Sequence, residues 1–258
     1  MNVTLIGVGG LGSALAAGLV EDAGLRVTLC ARRAGTLDPF RTRAHVTDDV
    51  VAAVAAADVV VLAVKPKGTP ELFSHLESAV RADAVVVSCA AGVSVDRLVC
   101  RRGVAVARAM PNIGAHARVS TTALYLGPAC VPARDRPRLE QVFRAVGDVK
   151  EVADEGALHA VTAVAASGPA FLLLAVEALV DAGVEQGMSR PDAIAFARGA
   201  LVAAAARLPP ATEPSTTRTT VTSPAGTTAA GLAALEDRAV RAAFAEAVRA
   251  AVARSRQL

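Results

Sequence analysis

A chain of 258 residues with 53% hydrophobic content and a mean hydropathy of +0.44 has material for one large or two modest domains around a buried core, which excludes a disordered chain. Its net charge of +3 comes from scattered arginines, with only Arg32-Arg33 and Arg101-Arg102 adjacent, so no basic stripe points to a nucleic-acid partner. Cys30, Cys89, Cys100 and Cys130 form no CxxC pair and no metal-ligand spacing, which implies no metal and suits a reducing, cytoplasmic setting.

The opening stretch MNVTLIGVGG lacks a basic region and enters a strand at once, so no signal peptide is expected. From Met1 to about Ala153, Val-rich runs alternate with Ala-rich helical stretches: NVTLIG, RVTLCA, DVVVLAV, AVVVSCA, VAVARAM, TTALYL and DVKEVA. Strands this continuously apolar need cover on both faces, and their alternation with helices predicts a parallel, doubly wound α/β sheet over residues 1–153. After Asp154 the strand signal stops, and residues 154–258 read as all-helical. DEGALHAVTAVAA comes first, then SGPAFLLLAVEALVDAGVEQG, with Ser167 as N-cap and Pro169 in the first turn. SRPDAIAFARGALVAAAARL opens on a capping-box pattern, Ser189 with Asp192. A polar loop is expected over residues 209–222, and LEDRAVRAAFAEAVRAAVARSRQL closes as one amphipathic helix. The run PAFLLLAVEALV carries Glu177 and falls short of the ~20 apolar residues of a bilayer span, so no membrane partner is expected. Being apolar nearly all round, this helix needs a second subunit to cover it.

GVGGLG places Gly7, Gly9 and Gly12 as GxGxxG between a strand and a helix, with Gly10 and Leu11 at the helix start. The first glycine makes the tight turn, the second admits a pyrophosphate against backbone, and the third lets helix and strand approach, which is the dinucleotide fingerprint of a Rossmann-type domain. An acidic residue at the end of the second strand would favour NAD; this chain reads LCARRAG there. Arg32 and Arg33 can pair with a 2'-phosphate, which points to NADPH, with NADH as the alternative if the pair is merely solvated. Ala63, Val64, Lys65 and Pro66 follow one strand, and Ala91 and Gly92 another, so both loops are expected to border the cofactor. Lys65 either contacts ribose or lies in solvent.

The second half offers no lysine after Lys150, and His159, its sole histidine, sits in an apolar helical run as a structural residue. An alcohol dehydrogenase wants a general base there; an imine needs a hydrogen-bonding partner more than a strong acid. VTSPAGTTAAGL supplies one. Pro224, Ala225 and Gly226 turn the chain and Thr227 and Thr228 lead into a helix, so turn amides can hold a carboxylate while a threonine hydroxyl reaches the adjacent nitrogen. Threonine caps on a surface loop are the alternative.

These residues resemble the pyrroline-5-carboxylate reductase family along nearly the whole chain. The likeness runs through GVGGLG, AVKP, SCAAGVS, MPN, AVTAVAASGPAF, DAGVEQGMSR and, most specifically, SPAGTTAAGLAALE. The resemblance implies a dinucleotide-binding domain followed by a helical dimerisation domain, a homodimer through the C-terminal helices with higher assembly left open, and reduction of a cyclic imino acid to proline. It places Ser223, Gly226, Thr227 and Thr228 around the substrate carboxylate and ring nitrogen, makes Thr228 the proton donor, and adds Asn112 to the cofactor-binding set. The chain departs from the family where Ala225 replaces a glycine of SPGGTT, Ile113 follows MPN, Ala166 and Phe171 flank SGPA, and Thr219-Thr220 stand for an Asp-Asn pair. Two alternatives follow: an imine reductase for another ring, and a non-catalytic NADP-binding regulatory dimer.

Overall fold

The computed structural model describes residues 1–98, 103–127 and 131–258; Cys100, Cys130 and Arg101-Arg102 lie outside the described residues. Through the first part the order is β1 (Asn2–Ile6), α1 (Gly10–Leu19), β2 (Arg26–Cys30), β3 (His45–Thr47), α2 (Val50–Ala55), β4 (Val59–Leu62), α3 (Thr69–Leu76), β5 (Val85–Ser88), β6 (Ala105–Met110), β7 (Ser120–Tyr125), α4 (Arg136–Arg144) and β8 (Gly147–Glu151). All strands join one sheet in the order β3-β2-β1-β4-β5-β6-β7-β8. The first six run parallel and place the strand reversal beside β1, the doubly wound arrangement.

Two features depart from the expected sheet. β3 is an additional edge strand whose three residues are too short to register as an apolar run. β7 pairs antiparallel to β6, not parallel, because residues 111–119 hold only a short 3-10 turn, and a parallel return needs a crossover of roughly a dozen residues or more. α4 then provides such a crossover, and β8 lies parallel to β7.

Val59–Leu62, Val85–Ser88 and Ala105–Met110 are buried along their whole length, as strands covered on both faces must be. Alternate residues divide between two cores. Val3, Leu5, Val59, Val61, Val85 and Val87 meet α1 and α4 through Leu15, Leu19, Leu139 and Phe143. Ile6, Val60, Leu62 and Val86 meet α2 and α3 through Val54, Phe73 and Leu76. Asp49 starts α2 by accepting from the N–H groups of Val51 and Ala52, both at 3.0 Å.

The remaining helices are α5 (Ala157–Val161), α6 (Gly168–Glu185), α7 (Arg190–Ala206), α8 (Pro214–Thr220), α9 (Thr227–Asp237) and α10 (Val240–Ser255). By packing, the chain divides into Met1–Ala166 with Ala250–Leu258, and Ser167–Arg249. The division at 153/154 follows the change from strand to helix; the packing units differ because α5 and the last turns of α10 rest on the sheet-bearing unit.

Within the helical part, a π-helical turn at Thr162–Ala166 joins α5 to α6. Ser167 therefore has no open helix end to cap and its side chain makes no capping bond, whereas Pro169 takes its expected place in the first turn. The same continuity makes Ala157–Glu185 a 29-residue helix, long and apolar enough by composition to cross a bilayer, unlike the shorter run read from the sequence. Ser189 caps α7 as expected, its Oγ accepting from Asp192 N–H at 3.2 Å and donating to the Asp192 carboxylate at 2.6 Å. The stretch 209–222 is not all loop: Pro214 opens α8, whose threonines bond back to main-chain carbonyls. The expected closing helix is two helices, broken at Arg238 and Ala239, the latter at φ 54°. α6 packs on α7 through Val180, Ala193 and Ala197, while Leu172, Leu173, Leu174, Leu179, Ile194, Phe196 and Val202 remain exposed.

Candidate functional site

The glycine loop is shaped by contacts a side chain would destroy. Gly7 sits at φ 96°, its N–H donating to Cys30 O at 2.9 Å. A Cβ on Gly12 would fall 1.8 Å from the Gly7 carbonyl oxygen, so α1 approaches β1 only because that atom is missing. At Gly9 and Gly10 a Cβ would meet nothing within 4 Å, so packing within the chain gives neither a reason to be glycine. α1 begins at Gly10 without a side-chain cap, which leaves its first amides and its dipole free for an anion.

Parallel register brings the other expected segments to the same edge. Ile6 is level with Cys30 and Leu62, Leu62 with Ser88, and Ser88 with Arg108. The residues just past these strand ends are therefore neighbours: Arg32 and Arg33 after β2; Ala63, Val64, Lys65 and Pro66 after β4; Ala91 and Gly92 after β5; Asn112 after β6. Arg32, Arg33 and Lys65 are exposed. Ala63 N–H bonds Ile6 O at 2.8 Å, tying the β4 loop to the glycine turn. The Asn112 side-chain oxygen accepts from Gly114 N–H at 2.8 Å, which fixes the side chain at the start of the turn after β6.

The sequence reading missed a buried polar group beneath the same edge. Arg108, 3% exposed, donates from Nη1 to Glu155 Oε1 at 3.0 Å and from Nη2 to Ala90 O at 3.2 Å, while its buried Nε has no partner. Val95 N–H donates to the same Glu155 oxygen at 2.8 Å. The clue was one arginine inside VAVARAM, a strand otherwise apolar. His159 Nδ1 shares a hydrogen bond with Ser255 Oγ at 2.9 Å, and the ring is held below its ordinary imidazole pKa by burial, then by the cations Arg108 and Arg256, against the pull of Glu155. Burial pushes the thiol of Cys89 up to about 12 and that of Cys30 to about 11, so neither is a thiolate nucleophile at neutral pH. Among the described residues no cluster of His, Cys, Asp and Glu can hold a metal ion.

In the second unit, residues 223–226 form a tight turn closed by Gly226 N–H to Ser223 O at 3.1 Å. Pro224 is its second residue and Ala225 its third, at φ 56°, where such a turn ordinarily takes glycine. A Cβ on Gly226 would lie 2.3 Å from Ser223 Oγ, so any other residue there would turn the Ser223 hydroxyl away from its present position. α9 starts directly at Thr227 with Gly226 as N-cap and no side chain capping it, so neither Thr227 nor Thr228 has been spent on the helix end. Ser223, Thr227 and Thr228 are exposed. The turn presents the open amides of the α9 start and three hydroxyls together, a donor set suited to an acid group.

Residues 155–258 match the family described as pyrroline-5-carboxylate reductase dimerisation, and residues 2–92 the family described as NADP oxidoreductase, coenzyme F420-dependent. The pyrroline-5-carboxylate reductase of Methanosarcina acetivorans is 34% identical over all of this chain and 97% of its own length. This chain belongs to the pyrroline-5-carboxylate reductase family. The solved family enzyme from Coxiella burnetii superposes with a TM-score of 0.89 at 30% identity, covering 99% of this chain and 97% of that one. The Plasmodium falciparum pyrroline carboxylate reductase, solved with NADP bound, shares the fold at a TM-score of 0.87 and 21% identity over all of this chain and 97% of its own. In this family member, then, an N-terminal α/β domain of NADP-binding type precedes a helical dimerisation domain.

Two predictions follow from the geometry. Ala225→Gly relieves a left-handed alanine and is expected to raise unfolding free energy by about 1 kcal/mol, read by chemical denaturation. Because His159 binds its proton less readily folded than unfolded, protonation favours the unfolded chain and stability falls as pH drops below the ordinary imidazole value of 6.5. Denaturation of wild type and His159→Gln at several pH values should show the wild type losing ground to the variant from pH 6.5 downward.

Proposed function

We propose that this protein reduces 1-pyrroline-5-carboxylate to L-proline with NADPH, as a cytoplasmic homodimer in which residues 1–153 carry the cofactor and residues 154–258 form the dimerisation and substrate domain. The observation that carries this reading is similarity to pyrroline-5-carboxylate reductases from end to end of the chain. The exposed leucines of α6 and the exposed Ile194, Phe196 and Val202 of α7 support a second subunit as their cover. The family's dimerisation description falls on the same helices.

Gly7, Gly9, Gly10, Leu11 and Gly12 hold the pyrophosphate against main-chain amides, and the open space at Gly9 and Gly10 supports that fit. Arg32 and Arg33 pair with the 2'-phosphate, while Ala63, Val64, Lys65, Pro66, Ala91, Gly92 and Asn112 line the rest of the edge. When bound, NADPH supplies the hydride that the imine carbon accepts. Ser223 and Thr227 clasp the substrate carboxylate through their hydroxyls and the amides that open α9, while Gly226, whose own N–H closes the turn, lets the carboxylate approach the backbone. The Thr228 hydroxyl donates to the ring nitrogen, which takes up a proton as the C=N bond becomes a single bond.

A related reaction on a six-membered imine is the second reading, motivated by Ile113 and Ala225, which stand where the chain departs from the family's motifs and alter the side chains available to a small pocket. NADPH oxidation by the pure protein on five- and six-membered imino acids separates the two, and no imine-dependent oxidation would overturn both. Thr228→Ala should lower kcat about 100-fold, the scale of losing one aimed donor, with NADPH affinity unchanged. Replacing Arg32 and Arg33 by alanine should reduce the preference for NADPH over NADH about tenfold, the worth of one charge-assisted contact.

A further inference from the structure

The loop after β5 is seated in the core by Ala90, Val93 and Val95, and its Ala90 N–H donates to Ser88 Oγ at 3.3 Å. Ala90, Ala91 and Gly92 bring no polar side chain, yet this loop stands at the carboxyl edge beside the β4 loop. Its two ends are tied by one ion pair: Arg108 Nη2 donates to Ala90 O at 3.2 Å, Val95 N–H donates to Glu155 Oε1 at 2.8 Å, and Arg108 Nη1 meets that same oxygen at 3.0 Å. Charge-assisted bonds of this kind are the stronger ones available to a protein.

The middle of the loop is backed from elsewhere. Gly92 is left-handed at φ 74°, and a Cβ there would lie 2.5 Å from Leu258 Cβ and 2.7 Å from Ser255 O. Residues 255–258 thus press on the loop at the point where it has no side chain. Ser255 is 2% exposed, and its Oγ is bonded to His159 Nδ1 at 2.9 Å. Glu155 and His159 are four residues apart, so one short segment grips the end of the loop and the element that backs its centre.

We propose that Arg108, Glu155 and the hydrogen-bonded pair His159 and Ser255 are positioning residues that set loop 90–95 for the dinucleotide and thereby set its affinity. This rests on the reading of the edge as the NADPH site. None of the four is asked to touch the reacting atoms, so their signature is a split between cofactor binding and turnover.

Ser255→Ala and Glu155→Gln are compared with wild type in the full-length protein, by NADPH fluorescence titration, steady-state kinetics and amide exchange across the 89–98 segment. Ser255→Ala should weaken NADPH binding about three- to tenfold, the effect of one lost hydrogen bond, with kcat at saturating NADPH and the KM for the imino acid unchanged. Glu155→Gln should weaken it about tenfold or more, since a charge-assisted bond is lost. Exchange at Val95 and its neighbours should quicken in both. If Glu155→Gln fails to fold, Ser255→Ala alone decides. Variants that bind NADPH as tightly as wild type overturn the brace; a fall in kcat with unchanged affinity overturns it too. Wild type that binds no NADPH overturns the site reading and this proposal with it.

Discussion

The close approach of α1 to the end of β1 is the constraint on which the dinucleotide face depends. With a Cβ at Gly12 placed 1.8 Å from the Gly7 carbonyl, the contact exists only between two residues without side chains. It sets the helix start level with the strand ends, and parallel register then carries the loops after β2, β4, β5 and β6 to the same edge. A helix pushed outward by one methyl group would withdraw its first amides from that edge and loosen Leu15 and Leu19, which it buries against the same sheet.

Much of this was legible in the sequence because it rests on local patterns. Val-rich runs with no alternation identify strands buried on both faces, and GxGxxG between a strand and a helix specifies a turn whose geometry admits few other residues. What escaped was non-local or too short to carry a period. β3 has three residues, and the antiparallel turn of β7 is dictated by a connection length rather than by any residue in the strand. The helix in residues 214–220 hid behind threonines and a proline, residues that read as loop until Pro214 is placed at a helix start and the hydroxyls are turned back on their own carbonyls.

The candidate site divides along the same line. Its expected cofactor half could be proposed from the sequence because its members lie just past strands, with Asn112 added by the family resemblance. Its buried support could not: Arg108, Glu155, His159 and Ser255 are separated by up to 147 residues of sequence (255 − 108) and meet only in the fold. A lone arginine in an apolar strand signals a buried partner, but the sequence does not say which acid, and Glu155 was passed over as the start of a helix. His159 was read as structural, and its bond to Ser255 gives that reading a specific content.

The helical unit shows why a second subunit belongs in the picture. Within Ser167–Arg249 the buried apolar side chains are Val180, Ala193 and Ala197, a core far too small for a unit of this length, since burial is the main source of folding free energy. Its turns add strain. Ala211, Ala225 and Ala239 stand at φ 61°, 56° and 54° before α8, α9 and α10, each a conformation that costs an L-residue about 1 kcal/mol or more. A helical unit that buries little and strains each of these three turns needs apolar area from outside itself, and the exposed leucines of α6 with Phe196 of α7 are where that area is available. The same turns start the helix that carries Thr227 and Thr228, so cover over α6 and α7 by a second subunit would stabilise the unit on which the proposed substrate cradle is built.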